Sequence, residues 1–173
     1  MYYSVIMMVF DSSTLILVAK IELLDAFLKD IGMEIAIPKA VEDECCGGKK
    51  TLDSLIIRKA LDESRIKVRS VKDRRLVGKL EEDFSMGRGE SEAIALALQE
   101  GALLVGIDDK NGINACKLAG IPFTTAVGIL VRSRQKGLIG RSDALIKLSA
   151  LAEYGWYKDA ILEDARLRME EQP

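Results

Sequence analysis

Two stretches of the chain carry no polar side chain and end abruptly in acidic residues. Val5–Phe10 stops at Asp11, and Ala102–Ile107 stops at the pair Asp108-Asp109. A continuous apolar run is typical of a strand that is buried on both faces, whereas a strand with one solvent face alternates. The two runs therefore predict central strands of a parallel sheet, with carboxylates at their carboxyl ends.

Between these strands the apolar residues recur at helical spacing. The pattern from Leu15 to Ile31 predicts one long helix that Gly32 ends, and Glu34–Ile37 follows as a short second strand. Pro38 marks the start of a short helix that closes at Gly47-Gly48. The remaining predicted segments are helix 51–64, strand 66–68, helix 72–83, a helix through Ala93–Leu98, a helix through Ala115–Ala119, the apolar segment Ile121–Phe123, and helical regions 126–134 and 142–169.

Alternation of strands and helices predicts a parallel sheet with right-handed crossovers and helices on both faces. The expected fold is a three-layer α/β/α sandwich with a central parallel sheet of four to five strands and extra C-terminal helices. A chain of 173 residues with 49% hydrophobic content suits a single domain. Its core is expected at about residues 4–135 and a helical extension at about 136–173.

Composition excludes several kinds of chemistry. The chain has no histidine, which rules out Ser-His-Asp and Cys-His catalysis and most zinc sites. Its three cysteines, Cys45, Cys46 and Cys116, have no metal-ligand spacing and are expected to be packing residues in a reducing compartment. No apolar run is long enough to span a bilayer, so a cytoplasmic location is expected. The net charge of −2 gives no overall attraction to nucleic acid, so phosphates would need a local basic patch or bound cations.

Four acidic positions are candidates for one site. Asp11 and the pair Asp108-Asp109 follow buried strands, where ligands of open parallel sheets collect. Glu44 lies near the end of its predicted helix, and Glu90 lies in the first turn of the most apolar helix. Carboxylates gathered in one crevice repel one another, and a bound divalent cation is the usual remedy. Ligation by oxygen alone points to Mg²⁺ or Mn²⁺, whose bound water can attack a phosphodiester.

The segments that carry these acids resemble the motifs of PIN domains. They are Val9–Ile16, then Ile37–Val41 with Glu44, then Gly89–Ala97 and Leu104–Lys110. The similarity covers roughly residues 5–135, and it depends on four motifs in the right order because no single motif is specific. It implies a Mg²⁺- or Mn²⁺-dependent ribonuclease that acts on single-stranded or structured RNA, as in the VapC-type toxins of toxin–antitoxin pairs. An antitoxin protein and a homodimer are further partners that the resemblance implies.

The resemblance also implies roles for individual residues. Asp11 becomes the first acid, Glu44 the second, Glu90 the third and Asp109 the fourth, with Ser13 supporting Asp11. The expected metal ligands are Asp11, Glu90, Asp108 and Asp109. Asp108 competes with Asp109 because the family often has a hydroxyl residue two places before its fourth acid, where this chain has Ile107. Glu92 likewise competes with Glu90, although Glu90 has the better offset to Ala93 and Ala97.

Other interpretations explain single motifs. Asp11 could be only a helix cap, and Asp108-Asp109 only turn residues. A haloacid-dehalogenase-type phosphoryl-transfer enzyme also begins with a strand ending in Asp, but its second Asp would fall at Ser13. A receiver domain needs its acidic pair after the first strand, whereas here the pair is at 108 and 109. A non-catalytic PIN-fold binding module is the third alternative, and the presence of all four acids argues against it.

Cationic and aromatic clusters have two interpretations each. The basic residues Arg65, Lys67, Arg69, Lys72, Arg74 and Arg75 form one cluster, and Arg132, Arg134, Lys136 and Arg141 form another. Each cluster could contact phosphates or could be a solvated face. Tyr154, Trp156 and Tyr157 could stack on bases, but packing between the C-terminal helices is the preferred expectation.

Overall fold

The computed structural model describes residues 5–171 and has a parallel sheet at its centre. The strands are β1 (Met7–Phe10), β2 (Glu34–Pro38), β3 (Lys67–Arg69), β4 (Leu104–Gly106) and β5 (Phe123–Thr124). They lie in the order β3-β2-β1-β4-β5, and each neighbouring pair is parallel. The predicted parallel sheet of four to five strands is therefore confirmed.

Helices fill the connections between the strands. They are α1 (Ser12–Lys20), α2 (Leu24–Asp30), α3 (Lys39–Cys46), α4 (Leu52–Asp62), α5 (Arg74–Phe84), α6 (Arg88–Glu100), α7 (Lys110–Ala119), α8 (Ala126–Gln135), α9 (Arg141–Tyr154) and α10 (Asp159–Glu170). Helix α6 packs on β1, β2 and β4 with α5 and α7 beside it, while α1 packs against α4 and α8. Right-handed crossovers put these two groups on opposite faces of the sheet. The three-layer α/β/α prediction is confirmed.

The strand order reverses between β1 and β4. These two strands are neighbours in the sheet, although 93 residues lie between the end of β1 at Phe10 and the start of β4 at Leu104. Both apolar runs therefore lie at the centre of the sheet, and every residue of β1 is buried. Gly106 on β4 leaves room for the Phe10 ring, because a Cβ on Gly106 would lie 2.6 Å from that ring. The carboxyl ends of β1 and β4 form the crevice at which ligands of open parallel sheets bind.

The predicted long helix from Leu15 to Ile31 is wrong, since α1 and α2 are separate. Glu22 has a φ of +54°, and the amides of Glu22 and Leu23 donate to the carbonyls of Ala19 and Val18. This arrangement is a Schellman motif, which usually has glycine at its left-handed position. With glutamate at that position, no stop signal is visible in the sequence. The break buries Ile21, Leu23 and Leu24 together.

The ends of the chain bear on the predicted boundaries. The predicted start of the core and of its first strand at Ser4, and the predicted end of the helical extension at 172–173, lie outside the described residues. Helices α9 and α10 pack against α8 and against each other. Between residues 5 and 171 the structure contains no helix that is both long and apolar enough to cross a bilayer. All three cysteines are buried and unpaired, as expected of packing residues.

Candidate active site

Asp11 continues the pairing of the two central strands. Its amide donates to the carbonyl of Gly106 at 2.9 Å, and its side chain is fully buried at the start of α1. The Ser13 hydroxyl donates to Oδ2 of Asp11 at 2.6 Å, which fits the supporting role predicted for Ser13. Burial raises the pKa of Asp11 to about 6, the negative charge of Glu44 adds to the increase, and the Ser13 bond opposes it. Asp11 does occupy the N-cap position of α1, where the nearby amides of Ser12 and Ser13 lower its pKa, but its side chain makes no capping hydrogen bond to the helix.

Glu44 lies in the last turns of α3, and two neighbours hold its carboxylate. The Ser12 hydroxyl donates to Oε2, and the Gly89 amide donates to Oε1 at 3.1 Å. Gly89 can approach this closely because it has no side chain, since a Cβ there would lie 2.4 Å from Oε2 of Glu44. Ser12 is also 3.4 Å from Oδ1 of Asp11, so one hydroxyl links the first two acids.

Glu90 and Asp109 complete the group. Burial raises the pKa of Glu90 to about 7, with further increases from the charges of Asp11, Asp109 and Glu44. Asp109 caps α7, and its Oδ1 accepts from the amides of Asn111 at 2.7 Å and Gly112 at 3.3 Å. Acids from four separate segments are thus close enough to repel one another.

Asp108, in contrast, has its oxygens engaged by other parts of the chain. Its Oδ2 accepts from the Thr14 hydroxyl at 2.6 Å and from the Ala126 amide at 3.0 Å, and its Oδ1 accepts from the Tyr157 hydroxyl at 2.5 Å. Burial raises the pKa of Asp108, and these bonds oppose the increase. Asp108 therefore ties the end of β4 to α1, to the start of α8 and to the loop after α9. This favours Asp109 over Asp108 as the fourth acid.

Glu92 is similarly engaged away from the cluster. The side chain is 4% exposed and pairs with the guanidinium groups of Arg74 at 2.5 Å and Arg88 at 3.2 Å, while the Ala40 amide donates to it at 3.3 Å. Burial alone would raise the pKa of Glu92, but these bonds outweigh it and keep the pKa below its usual value. Glu92 links α5, α6 and α3, so Glu90 is the better candidate for the third acid.

The donor set suits a hard cation that retains water. Within residues 5–171, no three acidic, histidine or cysteine side chains converge tightly enough, as they stand, to enclose a metal ion. Mg²⁺ does not require such a cage, because it usually keeps several waters and binds through one or two carboxylates. Burial is the main cause of the raised pKa values of Asp11 and Glu90, and the repulsion from neighbouring acids that adds to it is what a divalent cation would relieve. The residues present therefore fit Mg²⁺ or Mn²⁺.

Two clefts flank the acidic group. One, of about 410 Å³, is lined by Glu44 together with the cations Lys39, Arg74 and Arg88. The other, of about 490 Å³, is lined by Ser13, Glu90 and Asp109 together with Tyr154, Trp156, Lys20 and Lys110. The contact between the Gly89 amide and Glu44 was not predicted from the sequence, and for the aromatic residues of the second cleft packing was preferred over base stacking. The expected packing role is wrong for Trp156, which is fully exposed, whereas Tyr157 is partly buried and bonded to Asp108.

Most members of the two basic clusters pair with acids of the same chain. Arg65 pairs with Asp25 and Glu63, and both Lys67 and Arg69 pair with Glu34. In the second cluster, Lys136 pairs with Asp30, and Arg141 lies 3.5 Å from Glu170. Arg74 is the member of the first cluster that lines the cleft at Glu44. This favours the solvated-face interpretation for both clusters, although Arg74, which pairs with Glu92, also faces that cleft.

Comparison with known proteins agrees with this arrangement. No curated protein matches the chain. A family model described as a PIN domain matches residues 7–171, which is nearly the whole chain and includes Asp11, Glu44, Glu90 and Asp109. PIN domains are commonly nucleases. With this match and the parallel sheet of order β3-β2-β1-β4-β5, the chain belongs to the PIN domain family.

Proposed function

We propose that the protein is a divalent-metal-dependent endoribonuclease whose acids are Asp11, Glu44, Glu90 and Asp109. One observation carries the proposal: carboxylates from four segments gather near the carboxyl ends of the central strands, where Ser12 links Glu44 to Asp11 and the charges of Asp11, Glu44 and Asp109 repel that of Glu90. A fold has no need of such repulsion, since each charge destabilises the next. The presence of this repulsion in the folded protein supports a site that needs a bound cation to neutralise it.

Residues of the chain would orient each acid before substrate arrives. Ser13 fixes one oxygen of Asp11, and the Gly89 amide with Ser12 fixes Glu44. The two amide bonds to Oδ1 of Asp109 hold that carboxylate against the start of α7. Asp11, Glu90 and Asp109 are the proposed ligands, and Glu44 lies beside Asp11 through Ser12. A bound Mg²⁺ or Mn²⁺ would supply water activation and charge stabilisation at a phosphodiester.

The surroundings of the acids support a polyanionic substrate. Because the net charge of the chain is −2, attraction of phosphates must come from local cations. Lys39, Arg74 and Arg88 line the cleft on the Glu44 side, and Lys20 and Lys110 line the cleft on the Glu90 side. A nucleic-acid backbone crossing the acids would therefore meet cations on both sides.

Cleavage of labelled RNA is the primary test. Linear and circular RNAs are incubated with Mg²⁺ or Mn²⁺, with and without excess chelator. We expect chelator-sensitive cleavage of both, since only an endonuclease opens a circle. Asp11→Asn is expected to abolish cleavage, while its thermal unfolding stays cooperative. The control Asp164→Asn, which changes an exposed carboxylate on α10, is expected to cleave like wild type. An Asp11→Asn variant as active as wild type would contradict the proposal.

The same experiment separates the alternative functions. Family membership favours a nuclease over a haloacid-dehalogenase-type enzyme and a receiver domain. A non-catalytic binding module shares the fold, and it would bind RNA without cleaving it under any metal condition. The toxin role is a finer proposal that follows from the resemblance to VapC-type proteins. It predicts growth arrest on induced expression that Asp11→Asn relieves.

A further inference from the structure

Trp156 is the only tryptophan in the chain, and it is fully exposed. An indole on the surface is unusual, because burying an aromatic side chain removes a large apolar area from water. Trp156 lies in the loop between α9 and α10. A residue so costly to expose calls for an explanation in terms of what it binds.

The loop that carries Trp156 is anchored on both sides of the indole. The Gly155 amide donates to the carbonyl of Leu151 at 2.8 Å, and the Tyr157 hydroxyl donates to Asp108 at 2.5 Å. The Tyr157 ring also packs over Gly155, where a Cβ would lie 2.5 Å from that ring. Since Asp108 is the neighbour of Asp109, this anchor fixes the loop relative to the acidic group.

Trp156 and the acids line the same cleft of about 490 Å³. Ser13, Glu90 and Asp109 line it together with Tyr154 and Trp156. Lys20, on the same helix as Ser13, also lines the cleft, with its Nζ 5.2 Å from the centroid of the Tyr154 ring. A ligand in this cleft would meet carboxylates, a cation and exposed aromatic faces.

This combination matches the chemistry of a nucleotide whose base is unpaired. A phosphate can be held near the acids through a cation, the backbone can pass Lys20, and the flat base can stack on the indole. Bases within a duplex have both faces covered by neighbours, so stacking on a side chain requires a single strand or a loop. The cleft also contains Ile16 and Leu17, but a protein partner that covered it would have to bury the charges of Glu90, Asp109 and Lys20, which is costly unless each is paired.

We infer that Trp156 is a stacking platform for an unpaired nucleobase of the nucleic-acid substrate. The inference rests on the proposed nuclease function for the direction of the strand across the acids. It adds a specificity-determining residue on the C-terminal helices, outside the four acidic motifs.

Because Trp156 is the sole indole, its own fluorescence reports the contact. The full-length Asp11→Asn variant is titrated with a single-stranded oligoribonucleotide in chelator, and binding is followed in parallel by the anisotropy of a labelled copy. We expect the indole emission to be quenched along the same saturation curve. A duplex of the same sequence and an abasic oligomer of the same length should bind with little quenching. Unchanged emission at saturation would overturn the inference.

Steady-state cleavage by wild-type and variant enzymes gives an independent measurement. Base–aromatic stacking is worth about 1–3 kcal/mol per base, so Trp156→Ala should raise KM by roughly 5- to 150-fold with kcat nearly unchanged. Trp156→Phe should recover most of the loss. Leu118→Ala is the matched control, since Leu118 is 80% exposed on α7 and does not line the cleft. Equal KM values for Trp156→Ala and wild type would overturn the inference.

The outcomes distinguish the inference from the function on which it rests. Quenching by single strands without cleavage by the wild type would retain the stacking platform and refute the nuclease. Cleavage without quenching and without a change in KM for Trp156→Ala would retain the nuclease and refute the stacking platform. Emission that responds only to protein concentration would identify the Trp156 surface as a self-association face and refute the stacking role.

Discussion

Gly89→Ala should separate the geometry of the site from the stability of the fold. The new Cβ would lie 2.4 Å from Oε2 and 2.6 Å from Oε1 of Glu44, whereas ordinary contact begins at 3.4 Å. The carboxylate must therefore move by at least 3.4 − 2.4 = 1.0 Å. Because these atoms are the end of a flexible side chain, Glu44 will swing away and the backbone of α6 will stay in place.

The cost to the fold is small because two effects oppose each other. Alanine in a helix is favoured over glycine by up to about 1 kcal/mol. Losing the bond from the Gly89 amide to Glu44 costs about 0.5–1.5 kcal/mol. The free energy of unfolding should therefore stay within about 1 kcal/mol of wild type. A displacement of about 1 Å in a catalytic group, however, can reduce the rate about 100-fold.

The assay pairs urea denaturation with RNA cleavage in Mg²⁺. The matched control is Gly78→Ala on α5, where a Cβ would meet no atom within 4 Å. Gly78→Ala should cleave like wild type and gain up to about 1 kcal/mol of stability. If folded Gly89→Ala cleaves within about threefold of wild type, the position of Glu44 does not matter for the reaction and the reasoning is refuted.

Three further predictions concern the remaining acids. Glu90→Gln should abolish cleavage without lowering stability, because it removes a repelled charge. Glu92→Gln should lower the free energy of unfolding by about 1–3 kcal/mol and keep most activity, because it weakens the ion pairs of a buried carboxylate. The reverse pattern in urea denaturation and cleavage assays would make Glu92 the third acid. Tyr157→Phe should cost about 1–3 kcal/mol in urea denaturation, because buried Asp108 loses a hydrogen bond, and a wild-type midpoint would contradict that contact. In chelator, the free energy of unfolding should fall as pH rises from about 4 to about 7. The pKa values of Asp11 and Glu90 in the folded state are about 6 and about 7, against ordinary values of 3.8 and 4.5. The folded state therefore binds more protons than the unfolded state in this range and loses that advantage as the pH rises. The decrease with pH should be shallower in Asp11→Asn, and equal slopes of Tm against pH for the variant and the wild type would argue against the raised pKa of Asp11. Mn²⁺ at pH 8 should raise the Tm of the wild type.

Local pattern was enough to predict the centre of the sheet and its first acid. The apolar run into Asp11 reports burial on both faces, and that property belongs to the strand itself. The order of the four motifs likewise predicted the family and the three-layer fold, both of which are confirmed. Ser13 contacts Asp11 as expected because the two residues are neighbours in the chain. The metal-ligand roles stay predictions.

Distinctions between adjacent candidates required the tertiary structure. Asp108 and Asp109 are equivalent in sequence, but the partners of Asp108 are Thr14 and Tyr157, which are 94 and 49 residues away. Glu92 differs from Glu90 because Arg74, 18 residues earlier, comes from a separate helix to pair with it. Periodicity reports which face of an element is buried and carries no information about partners on other elements.

The same limit explains the two structural predictions that were wrong. The stop of α1 at Glu22 uses a left-handed residue where sequence rules expect glycine, and burial of Ile21, Leu23 and Leu24 compensates for it. Tyr157 and Trp156 are adjacent aromatic residues, yet one is packed and the other is fully exposed. The sequence by itself determined the sheet, most of the helices and the candidate acids. The packing of distant elements decided which of those acids lie close together and that the indole of Trp156 faces the solvent.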